Sequence, residues 1–237
     1  MSLPVLKFIY EQLFLDFEST EGDLSGKTAV VTGSNSGLGF ETSVQLLERG
    51  LSRLIMGVRS MDKGQAAKDL MLQRVPGLKR DQIEVWHLAM ADYDSVRAFA
   101  DKCSHELKKI EIVVLNAAVA NLEYRVTSDG HEERCVPRDR HPCPCLPLPC
   151  LCSIQVNTVA TGLLAILLLP VLERSKSFNI KPHLVIVGSS MQYWAKLPQQ
   201  QQADILAAFD DSKTFSRDHY KDTKRAPLDL ALSLPRC

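Results

Sequence analysis

The stretch Lys27-Thr28-Ala29-Val30-Val31-Thr32-Gly33-Ser34-Asn35-Ser36-Gly37-Leu38-Gly39-Phe40 decides how the rest of the chain is read. Small and β-branched residues at 28–32 predict a short buried strand. It runs directly into a glycine- and serine-rich turn, TGSNSGLGF, and then into a helical pattern. Gly33 permits a sharp turn, Gly37 lets a backbone come close to a pyrophosphate, and Gly39 lets the following helix pack tightly on the sheet. The helix N-terminus supplies free N–H groups and partial positive charge. Gly33, Ser34, Asn35, Ser36, Gly37, Leu38 and Gly39 are therefore the expected phosphate-binding residues. A merely structural strand–helix turn is the alternative; the position after the first strand and before a helix favours the nucleotide.

Working outward, short β-branched runs alternate with longer helical patterns. Strands are expected at 28–32, 53–58, 83–87, 110–115 and 183–187, with helices near 38–49, 61–73, 94–107 and 157–173. Strands rich in Val and Ile on both faces, separated by helices, predict a doubly wound α/β fold with a parallel sheet covered on two sides. The expected layout is an N-terminal amphipathic extension over 1–23, a dinucleotide-binding domain over 24–224 and an aberrant tail over 225–237. Residues 135–153 interrupt the domain with CVPRDRHPCPCLPLPCLCS, which has neither helical nor strand periodicity.

Bulk composition narrows the function. Lys+Arg and Asp+Glu number 28 each in 237 residues, with 45% apolar residues, so a sizeable core is possible and a nucleic-acid partner is not expected. The N-terminal stretch spaces Leu6, Ile9, Tyr10, Leu13 and Phe17 on one amphipathic face, interrupted by Lys7, Glu11 and Asp16. That pattern is not a secretion signal; it reads as a short helix packed on the domain, or less readily as a membrane-surface helix. The apolar run at 159–172 reads as too short to span a bilayer and contains Pro170, so a buried helix, no transmembrane segment and a cytoplasmic protein are expected.

The second strand ends in Leu54-Ile55-Met56-Gly57-Val58-Arg59-Ser60. An acidic residue there would accept bonds from ribose hydroxyls and favour NAD. Arg59 stands in that region instead, and its guanidinium suits a 2′-phosphate, so NADP is the expected cofactor with NAD as the alternative. An exposed arginine at a helix start is the bland reading of the same residue.

These motifs together resemble the short-chain dehydrogenase/reductase family, in its retinol-dehydrogenase and protochlorophyllide-reductase-like branch. The resemblance rests on the turn Thr32–Gly39, on Leu115-Asn116-Ala117-Ala118, on Asn157 at a helix start, on Ser189-Ser190 after a strand, and on Tyr220-x-x-x-Lys224. It covers about residues 24–134 and 154–224. Hydride transfer at a carbonyl or alcohol carbon requires a proton to move on the oxygen. A tyrosine does this only when its pKa falls from about 10. A lysine at i+4 places a positive charge beside the phenol and favours that fall. The resemblance implies Tyr220 as general acid/base and Lys224 as its partner, which also holds the nicotinamide ribose. It further implies Ser190 as orienter of the substrate oxygen and Asn157 as support of a proton-relay water. Asn116 and Ala117 join Tyr220 and Lys224 beside the cofactor. The implied substrate is a small, apolar carbonyl or alcohol compound.

Some features depart from the family. Ala118 stands where glycine is usual, and Ala89 where an aspartate near the adenine is common, a loss on the scale of one hydrogen bond, about 1 kcal/mol. The insertion holds Cys143-x-Cys145 and Cys150-x-Cys152, but the spacing and the prolines at 142, 144, 147 and 149 argue against zinc. No metal is expected, and the segment reads as a disordered loop resembling translated intron. Pro227 and the nearby chain end imply that the later strands, much of the substrate pocket and the family's homodimer are in doubt. A catalytically inactive relative that at most binds nucleotide is therefore the rival expectation.

Overall fold

The computed structural model describes residues 22–119, 155–177, 180–195, 221, 222, 224 and 225. Five strands form one sheet: β1 (Thr28–Thr32), β2 (Arg53–Val58), β3 (Ile83–His87), β4 (Ile112–Leu115) and β5 (His183–Ile186). Every pairing is parallel and the order is β3-β2-β1-β4-β5. Parallel neighbours need long crossovers, which here are α1 (Gly37–Glu48), α2 (Met61–Arg74), α3 (Tyr93–Glu106) and α4 (Thr161–Ser175). The β-branched runs explain the sheet, because alternate side chains of one strand feed opposite cores. Val30 joins a cluster with Phe99, Leu164 and Leu168 under α3 and α4. Ala29 and Val31 join Val44, Leu47 and Met71 under α1 and α2. The doubly wound fold expected from the alternation is the fold observed.

Helix starts follow from their caps. The Ser60 hydroxyl accepts the Lys63 N–H at the start of α2, and the Asp92 carboxylate accepts the Asp94 and Ser95 N–H groups at the start of α3. Cys103 in α3 is fully buried, and burial pushes its thiol up to about 12, so it serves as an apolar core residue and not as a nucleophile.

Three expected boundaries shift. The strand expected from residue 110 begins at Ile112, because the Ile110 N–H donates to the Ser175 hydroxyl at 2.8 Å instead of entering the ladder. The strand expected to reach 187 ends at Ile186, although the Val187 N–H still donates to the Leu115 carbonyl at 3.0 Å. The helix expected over 157–173 is longer, and it opens as a π-helical turn over Gln155–Ala160 before α4. The Thr161 hydroxyl donates to the Val156 carbonyl, five residues back, at 2.8 Å, which suits the wider turn.

The continuous helical stretch Gln155–Ser175 spans 21 residues, and its most apolar 18 have a mean hydropathy of 1.8, so it is long and apolar enough to cross a membrane by length and composition alone. That corrects the expectation that this segment is too short. Its apolarity is used inside the domain: Leu164, Ala165, Leu168 and Val171 are fully buried in the α3–α4 core. Pro170 lies on the exposed face, four residues from the 47% exposed Ile166, so the carbonyl that loses its helical donor belongs to a solvent-facing residue. The cysteine–proline segment, the N-terminal extension and the tail beyond 225 lie outside the described residues.

Candidate cofactor and active site

The sheet order places β1 and β4 side by side while their crossovers leave in opposite directions, so a crevice opens at their C-terminal ends. The turn Thr32–Gly39 lines it. Thr32 is fully buried and its hydroxyl oxygen accepts the N–H groups of Asn116 and Ala117, each at 3.0 Å. In return the Asn116 amide donates to the Thr32 carbonyl at 3.1 Å and to the Gly33 carbonyl at 3.4 Å. The turn and the start of the β4 loop are therefore one braced unit. The Gly33 N–H donates to the Gly57 carbonyl at 2.8 Å and ties the same turn to the end of β2.

Gly37 has φ +57°, a left-handed backbone, and a Cβ there would meet nothing within 4 Å among the described residues beyond its own helical turn. Gly37 is the first residue of α1, where Ser36 makes no side-chain cap and the first turn holds no acidic residue. A Cβ on Gly39 would stand 2.5 Å from both the Asn116 Nδ2 and the Gly33 carbonyl oxygen. The glycine at 39 is thus required by the brace, beyond the helix–sheet packing expected of it. Ser34 is fully buried, and its hydroxyl is one of the few buried polar atoms without a partner among the described residues. An unfilled space, uncapped N–H groups and an orphaned hydroxyl in one turn suit a pyrophosphate.

The other expected residues distribute along the same edge of the sheet. Asn35 is half-buried, while Ser36 and Leu38 are exposed, Leu38 by 72%. Arg59 is exposed immediately after β2. Asn116 and Ala117 are half-buried after β4, and Ala118 is exposed. Ser190 is exposed and opens a 3₁₀ turn, Ser190–Trp194, just after β5. Tyr220 lies outside the described residues, so its approach to Lys224 is not described.

Two placements sharpen what the residues can do. Asn157 is 3% exposed; its Oδ1 accepts the Val119 N–H at 2.9 Å and its Nδ2 donates to the Val119 carbonyl at 2.8 Å. The side-chain amide is therefore engaged with the β4 loop, and the sequence contained no sign of that long-range pairing. Gln155, which sequence reasoning passed over, is buried and donates through Nε2 to the Ala91 carbonyl at 2.6 Å.

Lys224 is buried, and its Nζ donates to the Val187 carbonyl at 3.1 Å, at the C-terminal end of β5. Burial holds its ammonium below the ordinary lysine value of 10.5. The folded state therefore binds fewer protons than the unfolded chain between the lowered value and 10.5, and stability gains from rising pH in that window. Urea unfolding of the wild type and Lys224→Met at pH 7 to 10 checks this. The wild type is expected to gain relative to the variant as pH rises; parallel curves would contradict the buried placement.

A parallel sheet of this order with a glycine turn at its switch point defines a dinucleotide-binding α/β domain. Residues 27–137 match the family model described as short chain dehydrogenase. The short chain dehydrogenase opdN of Penicillium oxalicum is 33% identical over 234 residues, covering 97% of this chain and 70% of that protein. The chain belongs to the short-chain dehydrogenase/reductase family. The short chain dehydrogenase/reductase mfmJ of Annulohypoxylon moriforme is 37% identical over 204 residues, covering 85% of this chain and 53% of that protein. The chain thus spans 53% of that relative's length, and 59% of the length of the short chain dehydrogenase AOL_s00215g274 of Arthrobotrys oligospora. Among solved structures, the menthone neomenthol reductase of Mentha piperita matches with a TM-score of 0.62 at 21% identity, covering 86% of this chain and 83% of that one. The RhlG/NADP active-site complex of Pseudomonas aeruginosa matches with a TM-score of 0.60 at 17% identity, covering 88% and 64%. At such identities these two structures speak for the fold alone.

Proposed function

We propose that the chain is an NADP-dependent oxidoreductase acting on the carbonyl or alcohol group of a small, apolar molecule in the cytoplasm. The observation that carries the reading is the braced turn at Thr32–Gly39, with its open space at Gly37 and the unpartnered Ser34 hydroxyl. NADP(H), when bound, supplies or accepts the hydride. The backbone N–H groups at the start of α1 hold its phosphates, and Arg59 reads the 2′-phosphate.

In this reading Tyr220 moves the proton at the substrate oxygen and Ser190 orients that oxygen by hydrogen bonding. Lys224 supplies the charge that lowers the phenol's pKa, and its position at the end of β5 supports the role. Because the Asn157 side chain holds the β4 loop, its contribution to a proton relay runs through the position of the π-helical turn it anchors.

The choice of cofactor is tested by titrating wild type and Arg59→Ala with NADPH and with NADH. A charge-assisted contact to the 2′-phosphate is worth about 1.5–3 kcal/mol, so NADPH affinity is expected to fall at least tenfold in the variant while NADH affinity holds. Equal losses for both nucleotides would remove Arg59 as the phosphate reader.

A further inference from the structure

The π-helical turn Gln155–Ala160 carries two side chains that each fasten a different loop at the crevice. Asn157 holds Val119, after β4. Gln155 is 5% exposed and holds the Ala91 carbonyl in the connection between β3 and α3. That connection, residues 88–92, is tied at its first residues by the Leu88 N–H to the Val58 carbonyl at 2.8 Å and by the Ala89 N–H to the Ser95 hydroxyl at 2.9 Å. The contact from Gln155 comes at its far end and crosses 64 residues of sequence.

In a doubly wound sheet the first three strands carry the adenosine half of a dinucleotide, with its ribose at the end of the second. Here β3 lies on the outer side of β2, so the 88–92 connection forms the wall beyond Arg59. We infer that Gln155 is a positioning residue for the adenosine half of the cofactor: its amide fixes that wall to the same turn that Asn157 fixes to the β4 loop. One helical turn thereby sets the distance between the two sides of the crevice. This inference rests on the reading of the crevice as an NADP site, and Gln155 acts through Ala91 without touching the nucleotide.

The test compares wild type with Gln155→Met, which keeps the side-chain length and removes the donor. Calorimetric titration with NADPH and with 2′-phospho-ADP-ribose, the adenosine half alone, gives two affinities for each protein. Hydrogen exchange in the ligand-free state, read over residues 88–92 and over β1 as a control, reports the wall itself. The variant is expected to lose threefold to tenfold in affinity for both ligands by the same factor, the scale of one hydrogen bond. Exchange over 88–92 is expected to quicken while β1 stays unchanged. If Gln155→Met fails to fold by thermal melting, Gln155→Glu, nearly the same shape and without a donor when ionised, is read the same way. Wild-type binding with an unchanged variant overturns the inference alone, as does a lowered melting temperature with both affinities intact. A wild type that binds neither ligand overturns the NADP reading and this inference with it.

Discussion

Replacing Gly39 with alanine is expected to abolish measurable NADPH binding and to lower the unfolding free energy by about 1–3 kcal/mol, the usual cost of forcing a methyl group into a packed site. The added Cβ would sit 2.5 Å from the Asn116 amide nitrogen and from the Gly33 carbonyl oxygen. Neither neighbour is the end of a flexible chain. The carbonyl belongs to the turn itself, and the amide is held between the Thr32 and Gly33 carbonyls. Relief requires the start of α1 to move away from β1, and the N–H groups offered to the phosphates move with it. Gly37→Ala provides the contrast. Among the described residues its Cβ would meet nothing within 4 Å beyond its own helical turn, so the expected folding cost is that of a left-handed alanine, about 1 kcal/mol, while the methyl group enters the space assigned to the pyrophosphate. Isothermal titration together with urea unfolding separates the two. Gly39→Ala is expected to lose stability and binding together, and Gly37→Ala mainly binding.

Tyr220→Phe is expected to lower kcat by roughly 10²–10⁴-fold, the range a positioned general acid or base contributes, with NADPH affinity kept within a fewfold of wild type. The phenol hydroxyl is the group assigned to carry the proton, whereas the cradle lies some 180 residues earlier in sequence and is braced by Thr32, Asn116 and the end of β2. Steady-state kinetics on a panel of apolar aldehydes and ketones is the check. A wild type that binds NADPH and turns over none of the panel would favour a nucleotide-binding relative without catalysis. Equal turnover by wild type and variant would take Tyr220 out of the mechanism.

The nucleotide half of the molecule was legible because its signals are local. The strands at 28–32, 53–58 and 83–87 follow from runs of Val, Ile and Leu bounded by turn residues, and their observed limits agree. Gly33 announces a sharp turn and Gly37 a close backbone approach, and both take positive φ. What periodicity could not reveal is pairing over long distance. The Thr32 hydroxyl was visible as part of a motif, yet its use in bonding Asn116 and Ala117 depends on β1 and β4 becoming neighbours. Gln155 reads as an unremarkable polar residue until Ala91 is beside it. Asn157 was recognised by its place at a helix start, while the engagement of its side chain with Val119 is set by the β4 loop and the π-helical turn. Ile110 has the apolar character of a strand residue, and only the Ser175 hydroxyl draws its N–H out of the ladder.

The turn from Thr32 to Gly39 is assigned as a working NADP cradle in this chain. Titrating the full chain with NADPH while following the nucleotide's own fluorescence tests it most directly, with Gly37→Ala as the control that fills the cradle. Saturable one-to-one binding by the wild type, lost in the variant while its fold is retained by melting, is the result expected. No binding by a folded wild type, or equal binding by both proteins, would contradict it.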